Sequence, residues 1–439
     1  MSRVALWVIG AGERGRQYTR YAAQWPERVQ VVGVAEPRQA FRDGFAADFG
    51  LDSGRCHDDW RAVLPLAQPG DAVIIATQDT QHTEPAIAFL ERGCHVLLEK
   101  PMAPTESECV QIARAARAGR GLFAVCHVLR YTDFSRTLKR LLDEGAIGEV
   151  VSLQRLEPVG YAHQAHSFVR GNWRNTAMSS CMLLAKACHD IDWIRYIMDA
   201  RCTRVQSFGN LYHFKRSQKP HDAGDATRCV DCGYEPQCVY SAKRIYLTPT
   251  INGDTRWPVS VITSDLTVEG VQAAIEHGPY GRCVYECDND VVDHQVVNME
   301  FENGKTAGLT MTAFTRGRER ETRLFGTLGE IYGNDDYIEV YRFETGETRR
   351  IETRGNDMQA DDQHGGGDRR LMEAFLNAAS THTPDTILSG SEETLESHLM
   401  VFAAERSRLT GQVVTLPTNP PSQNDDRPAP TPPLANPTA

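Results

Sequence analysis

Val4-Ala-Leu-Trp-Val-Ile-Gly-Ala-Gly-Glu-Arg-Gly15, followed by Val29-Gln-Val-Val-Gly-Val-Ala-Glu36, is the stretch whose reading decides the fold. The apolar run from Val4 to Ile9 predicts a buried parallel strand, and Gly10, Gly12 and Gly15 fall on the G-x-G-x-x-G spacing at the mouth of a helix. Gly10 permits the tight turn, Gly12 lets backbone approach a pyrophosphate, and Gly15 lets helix and strand pack closely. The helix start, at Glu13 and Arg14, adds N–H groups and a positive dipole, so the anion is bound mainly by backbone. The second apolar run ends at Glu36, about the twenty-residue interval after which an acidic side chain meets a ribose 2′-hydroxyl. A 2′-phosphate would face that carboxylate, which favours NAD over NADP; Arg38, two residues on, argues the other way.

Working outward, Asp71-Ala-Val-Ile-Ile-Ala76 predicts another buried strand, ending in Thr77-Gln-Asp-Thr-Gln-His82. A helix from about Glu84 to Arg92 then leads to Gly93-Cys-His-Val-Leu-Leu-Glu-Lys-Pro101. Strand and helix alternate throughout this third of the chain, the pattern of a doubly wound α/β parallel sheet whose ligands sit beyond the strands' carboxyl ends. Thr77, His82, Glu99 and Lys100 are all placed there.

Downstream, 149–157, 204–208, 291–301, 306–314, 322–325 and 337–343 read as strands, with Glu302-Asn303-Gly304-Lys305 as a hairpin turn. They lack long intervening helices, so antiparallel pairing follows. Helices return at about 368–379 and 392–410. From Pro417 onwards the chain, rich in Pro, Asn, Asp and Thr, cannot bury enough apolar surface to offset ordering entropy and is expected to be disordered.

At 439 residues the chain exceeds the usual single core, so two domains are expected. We divide it into 1–125, 126–416 and a tail at 417–439. A net charge of −11, with no basic stripe, argues against a general nucleic-acid binder. No run has the apolar length of a membrane span and no apolar leader precedes the first strand, so a cytoplasmic protein is expected. Twelve cysteines in a reducing compartment read as free thiols, packed small hydrophobes or metal ligands. Cys229-Val-Asp-Cys232-Gly-Tyr-Glu-Pro-Gln-Cys238 has knuckle spacing for a structural zinc, with His213 as the nearest fourth ligand and Cys202, Cys283 and Cys287 as others. Packed or redox-active thiols are the competing reading.

Glu99-Lys100-Pro101 after a late strand of such a sheet, with Ala187-Cys-His-Asp-Ile-Asp192 some ninety residues on, resembles the Gfo/Idh/MocA family of NAD(P)-dependent oxidoreductases. The resemblance runs to about residue 416. It implies a Rossmann domain followed by an α+β domain on a large, open, mostly antiparallel sheet, with substrate held between that sheet and the nicotinamide. It also implies an aspartate four residues before His189. Here that position is Ala185 and Lys186 follows it, so the proton relay must be rebuilt from Lys186, His189 and Lys100.

Moving a hydride from a carbinol carbon needs a base for the hydroxyl proton. Lys100 is the first candidate, because burial and an oxidised nicotinamide both lower an ammonium pKa from about 10.4. Lys186 and His189, three apart, share a helix face if the segment is helical. Cys126-His127-Val-Leu-Arg130 follows the last Rossmann strand, where the resemblance implies groups facing substrate. Tyr161, His163, His166, Arg170, Trp173 and Arg174 crowd a loop without periodicity, which is costly to order unless it binds something. Trp173 offers a face for a sugar, and Arg170 and Arg174 can fork onto an anion or merely form surface ion pairs. In His364-Gly-Gly-Gly-Asp368, the acid contacts a substrate hydroxyl or caps the next helix.

Taken with the resemblance, these residues point to an NAD-dependent oxidoreductase acting on a secondary hydroxyl of a sugar, glycoside or cyclic polyol. The alternative is a redox-neutral, NAD-dependent glycosidase: transient C3 oxidation, elimination of the aglycone, water addition and re-reduction, with loop arginines suiting an anionic sugar. A catalytically silent NAD-sensing protein is a third reading. Open sheet faces make a homo-oligomer the expected assembly.

Overall fold

The computed structural model describes residues 3–317, 319–354 and 364–417. The N-terminal sheet contains β1 (Val4–Ile9), β2 (Val29–Ala35), β3 (Cys56–His57), β4 (Ala72–Ile75), β5 (His95–Leu98) and β6 (Phe123–Val125). All its pairings are parallel, in the order β3-β2-β1-β4-β5-β6. The order reverses between β1 and β4, which opens a crevice at their carboxyl ends. Every residue of β4 and β5 is buried, as continuous apolar runs covered on both faces require.

The second sheet has nine strands: β7 (Val150–Pro158), β8 (Cys202–Asn210), β9 (His294–Phe301), β10 (Thr306–Thr312), β11 (Glu321–Gly326), β12 (Gly329–Gly333), β13 (Tyr337–Arg342), β14 (Thr348–Glu352) and β15 (Val414–Thr415). Their order is β14-β13-β12-β11-β7-β10-β9-β8-β15, antiparallel throughout except for β7 with β10. The predicted Asn303-Gly304 hairpin joins β9 to β10, with Gly304 at φ +78°. Strand β9 starts at His294 rather than 291, because the buried Asp293 carboxylate turns aside to accept the N–H groups of Tyr212 and His213 at 2.9 and 2.7 Å.

Alternation on β7 sends Leu153, Arg155 and Glu157 inward. The helix Cys188–Met198 packs on that inner face, burying Ile191, Ile194 and Trp193 in the core shared with β7 and β10. The chain then crosses back. Leu371, Met372, Phe375 and Leu376 of helix Gly367–Thr381 join Leu6, Val8 and Ile74 in one cluster, so a late helix completes the first sheet's core. A third core, with Phe214, Tyr246, Val271, Ile275 and Val284, is drawn mostly from the segment 211–290, joined by Ala165, Val169 and Ala313. No helix among the described residues is long and apolar enough to cross a membrane. The tail expected from Pro417 lies outside the described residues, apart from Pro417 itself.

Candidate active site

The crevice between β1 and β4 is lined by backbone. Gly10 has φ +94°, and a Cβ there would stand 2.5 Å from the Ala76 carbonyl oxygen. A Cβ on Gly15 would stand 2.0 Å from the Gly10 oxygen, so both positions exclude a side chain for steric reasons. Gly12 differs: only the tip of Arg38, at 3.5 Å, would meet its Cβ, which leaves the open backbone approach a pyrophosphate needs. At the end of β2 the buried Glu36 accepts the Ala11 N–H at 3.0 Å and the forked Arg38 guanidinium at 2.7 and 2.9 Å. Burial pushes the Glu36 carboxyl up, but Arg38 and the Ala11 N–H together hold it below its ordinary value. These residues fit a dinucleotide with a free 2′-hydroxyl.

Beyond the carboxyl end of β5, Glu99 accepts from Arg14 Nε and from the Tyr18 hydroxyl, both at 2.7 Å. Arg14 reaches on to Asp368, whose other oxygen is 2.8 Å from His364 Nδ1. Asp368 is fully buried in the first turn of its helix, and Gly366 occupies the cap position. The carboxylate is therefore an electrostatic tie rather than a cap. Burial opposes its charge, but Arg14 and His364 hold the carboxyl far below the usual range.

The next residue, Lys100, donates from its backbone N–H to Glu99 Oε2 at 2.6 Å and from Nζ to the Ala185 carbonyl at 2.8 Å. His82 steadies the same turn, with Nδ1 2.8 Å from the Pro101 oxygen and Nε2 3.4 Å from that of Thr77. A contact between residues 100 and 185 spans the two sheets' territories, and it brings the second candidate lysine alongside. The predicted continuous helix breaks there: one piece ends at Ala185 and the next starts at Cys188, with Lys186 in the joint.

Lys186 Nζ stands 3.2 Å from Glu157 Oε1. Arg320 lies 2.7 Å from the other Glu157 oxygen and 2.8 Å from Asp190, which Arg155 also meets at 2.7 Å. Burial, helped by Arg320 and Lys100, lowers the Lys186 pKa against the pull of Glu157. His189 is buried, its ring 5.7 Å from His127 and 6.2 Å from His364, and its Nδ1 has no hydrogen-bond partner among the described residues. Burial first, then Lys100 and its imidazole neighbours, keep it neutral. His127 is entirely buried 3.6 Å from Asp192, and burial takes its pKa down to about 3. His163, half-buried, is likewise held well below its ordinary value by burial and by Lys186.

Several other sequence-derived candidates are committed elsewhere. Arg130 is buried and forks onto Asp192 at 2.7 and 2.8 Å. Arg170 is buried and donates to the carbonyls of Arg282 and Tyr240 at 2.7 and 2.8 Å. Arg174 pairs with Asp288 at 2.8 Å. His166 is 2.9 Å from the Tyr246 hydroxyl and stacks on Tyr280. Tyr161 packs its ring toward Tyr240, and Trp173, partly buried, packs beside Phe168 and the main core.

The zinc expectation is corrected. Among the described residues no group of three or more His, Cys, Asp or Glu is arranged to hold a metal ion. Cys229 Sγ instead accepts from Arg170 and the Ala242 N–H, both at 3.4 Å, and His213 Nε2 lies 3.1 Å from the Tyr285 hydroxyl. Cys232 and Cys238 are half-buried. Cys229 is one of the buried side chains of the third core, and Cys238 packs against it.

Glu157, Asp190, Arg320 and Trp257 were not singled out from sequence. A signal was available for Glu157: with Arg155 it puts two charges at inward positions of a strand, where alternation predicts apolar side chains. Trp257 carried no such mark.

A glycine-lined crevice at a topological switch point, with Lys100 at its rim and Lys186 and His189 brought up by the helices beyond, defines a dinucleotide-dependent oxidoreductase architecture. Residues 4–127 match the NAD-binding Rossmann fold of the Gfo/Idh/MocA oxidoreductase family and 139–416 match its C-terminal alpha/beta domain, so the chain belongs to that family. It is 22% identical to the putative oxidoreductase YteT of Bacillus subtilis, over 76% of this chain and 78% of that protein. It is 32% identical to an inositol 2-dehydrogenase of Streptomyces avermitilis, over 45% of this chain and 54% of the relative, and so spans about half that protein's length. A levoglucosan dehydrogenase solved with NADH and L-sorbose superposes with a TM-score of 0.70 at 19% identity, over 95% of this chain and 100% of the other, a likeness of fold.

Proposed function

We propose that this chain is an NAD-dependent oxidoreductase of a secondary hydroxyl on a sugar, glycoside or cyclic polyol. The observation that carries it is the Lys100 Nζ to Ala185 carbonyl bond, which sets Lys100, Lys186 and His189 together opposite the crevice lined by Gly10, Gly12 and Glu36. Bound there, the coenzyme supplies the hydride acceptor. The protein's part is to orient the carbinol and to manage its proton. Lys100 donates a hydrogen bond toward the substrate oxygen. Lys186, whose charged form burial disfavours, takes up the hydroxyl proton and shares it with Glu157. Neutral His189 orients the hydroxyl from the helix below.

Relatives that are named dehydrogenases of inositol and levoglucosan support the polyol or sugar class. A redox-neutral glycosidase is the second reading, favoured by Lys186, Glu157 and His163 exceeding what one proton transfer requires. We favour a cytoplasmic setting, because all twelve cysteines are free. Self-association through the open sheet is supported by Phe208 and Val296, exposed and directly opposite each other on β8 and β9. The test follows reduced-coenzyme absorbance and aglycone release together on sugars and aryl glycosides. Net oxidation consumes NAD in step with substrate, and Lys100→Ala abolishes turnover; full retained turnover in that variant refutes the assignment.

A further inference from the structure

Trp257 is 42% exposed, although it lies against the candidate site. It belongs to the 211–290 segment, in which Phe214, Tyr240 and Tyr246 are buried in the third core while Tyr212 is exposed. The indole meets His163 near-perpendicularly at 4.9 Å between centroids and His166 at 5.3 Å. His166 is braced in turn by the Tyr246 hydroxyl at 2.9 Å and by stacking on Tyr280 at 4.9 Å. The indole therefore rests on a rigid base while part of its surface stays open to solvent.

His163 links this ring to the reaction centre. It makes ring contacts with Phe168 at 5.8 Å and with Trp257, and no hydrogen bond ties its imidazole to a described residue. Lys186, Lys100 and Arg320 all lie close enough to oppose its protonation, so it stands beside the proposed proton-handling cluster as a neutral group with a donor and an acceptor to offer. A fixed aromatic surface beside a few unspent polar groups is the combination by which pockets grip amphipathic ligands. A pyranose matches it, with C–H bonds on its face and hydroxyls at its edge. We propose that Trp257 and His163 form a second subsite next to the hydride-transfer position, and that the preferred substrate is a glycoside whose second ring or aglycone lies on Trp257, rather than a free monosaccharide.

This inference rests on the proposed sugar chemistry for the ring that reacts, not for the ring that Trp257 holds. It is tested by calorimetry on the full chain, with and without NADH, using glucose, galactose, mannose and glucuronic acid, each paired with its phenyl β-glycoside. At least one glycoside is expected to bind about tenfold or more tightly than its parent sugar, the scale of truncating an aromatic anchor. Trp257→Ala then erases that margin and leaves the parent sugar's affinity unchanged, whereas Trp257→Phe keeps most of it. Absence of a margin in every pair, a margin that survives Trp257→Ala, or equal loss for sugar and glycoside overturns the proposal. Failure to bind NADH in the same experiment overturns the dehydrogenase reading instead, because the coenzyme-free titrations decide the subsite separately.

Discussion

Glu36→Gln isolates the contribution of one charge to coenzyme choice. Glutamine keeps an oxygen for the Ala11 N–H, which Glu36 now satisfies at 3.0 Å, so the variant leaves that buried donor partnered. What it removes is a carboxylate that Arg38 and Ala11 hold ionised. Two unit charges about 4 Å apart at an effective dielectric of about 20 interact by about 4 kcal/mol. Arg38 already forks onto Glu36 at 2.7 and 2.9 Å and cancels part of the repulsion a 2′-phosphate would feel; halving the figure leaves about 2 kcal/mol, or about 30-fold. The variant also frees Arg38, a half-exposed side chain, to meet the phosphate itself. The ratio of NADH to NADPH dissociation constants, from quenching of protein fluorescence, is therefore expected to move toward NADPH by about 30-fold or more. A ratio unchanged within about threefold, in a variant that melts like the parent, would refute the placement of the adenosine ribose at Glu36.

Lys186→Met removes the proposed proton acceptor while Glu157 keeps its 2.7 Å pairing with Arg320; kcat is expected to fall by about 10²–10⁴ with a near-normal melting temperature, and a loss under threefold rules Lys186 out of proton transfer. Asp192→Ala leaves the buried Arg130 without its carboxylate and is expected to cost about 3–5 kcal/mol of stability in urea titrations at pH 7.5; a cost below about 1 kcal/mol would show the pair to be dispensable. Burial holds His127 at about 3 and His95, His166 and His398 at about 4 in the folded state. Unfolded imidazoles titrate near 6.5, so below that pH the unfolded chain binds more protons. The contribution of these imidazoles should be flat above about pH 7, and stability should decline from about 6.5 toward 4, by roughly 1 kcal/mol per pH unit per imidazole. Equal urea midpoints at pH 7.5 and 5.5 contradict it.

The parts of the molecule legible in the sequence are those where one local pattern admits one structure. A six-residue apolar strand running into glycines and ending its partner strand at Glu36 leaves little choice of topology, and the pairs Val8 with Val34 and Val8 with Ile74 follow. Strand β14, Thr348–Glu352, is an edge strand without alternation, and nothing in its own residues announces it. Two readings in the aperiodic loop at 157–174 depended on partners remote in sequence. His166 and Arg170 looked available because their partners, Tyr246, Tyr240 and Arg282, come from a core assembled only when segment 211–290 folds. Arg320 was hidden in the same way, since its ion pair with Glu157 joins residues remote in sequence.

The absence of an acid at position 185 gains a structural meaning from the lysines around it. The Ala185 carbonyl accepts Lys100, a neutral acceptor where the family resemblance implies a carboxylate, so Lys100 is positioned without being neutralised. The carboxylate that serves this neighbourhood comes from the sheet instead, as Glu157, and it is divided between Lys186 at 3.2 Å and Arg320 at 2.7 Å. A shared anion stabilises each cation less than a private one does, and burial penalises both. Arg320 recovers its stabilisation from Asp190, while Lys186 pairs with no second carboxylate among the described residues. Burial is the main reason the Lys186 pKa is lowered, and the unequal division leaves Glu157 unable to offset it, so the lysine gives up its proton more readily than Lys on a protein surface.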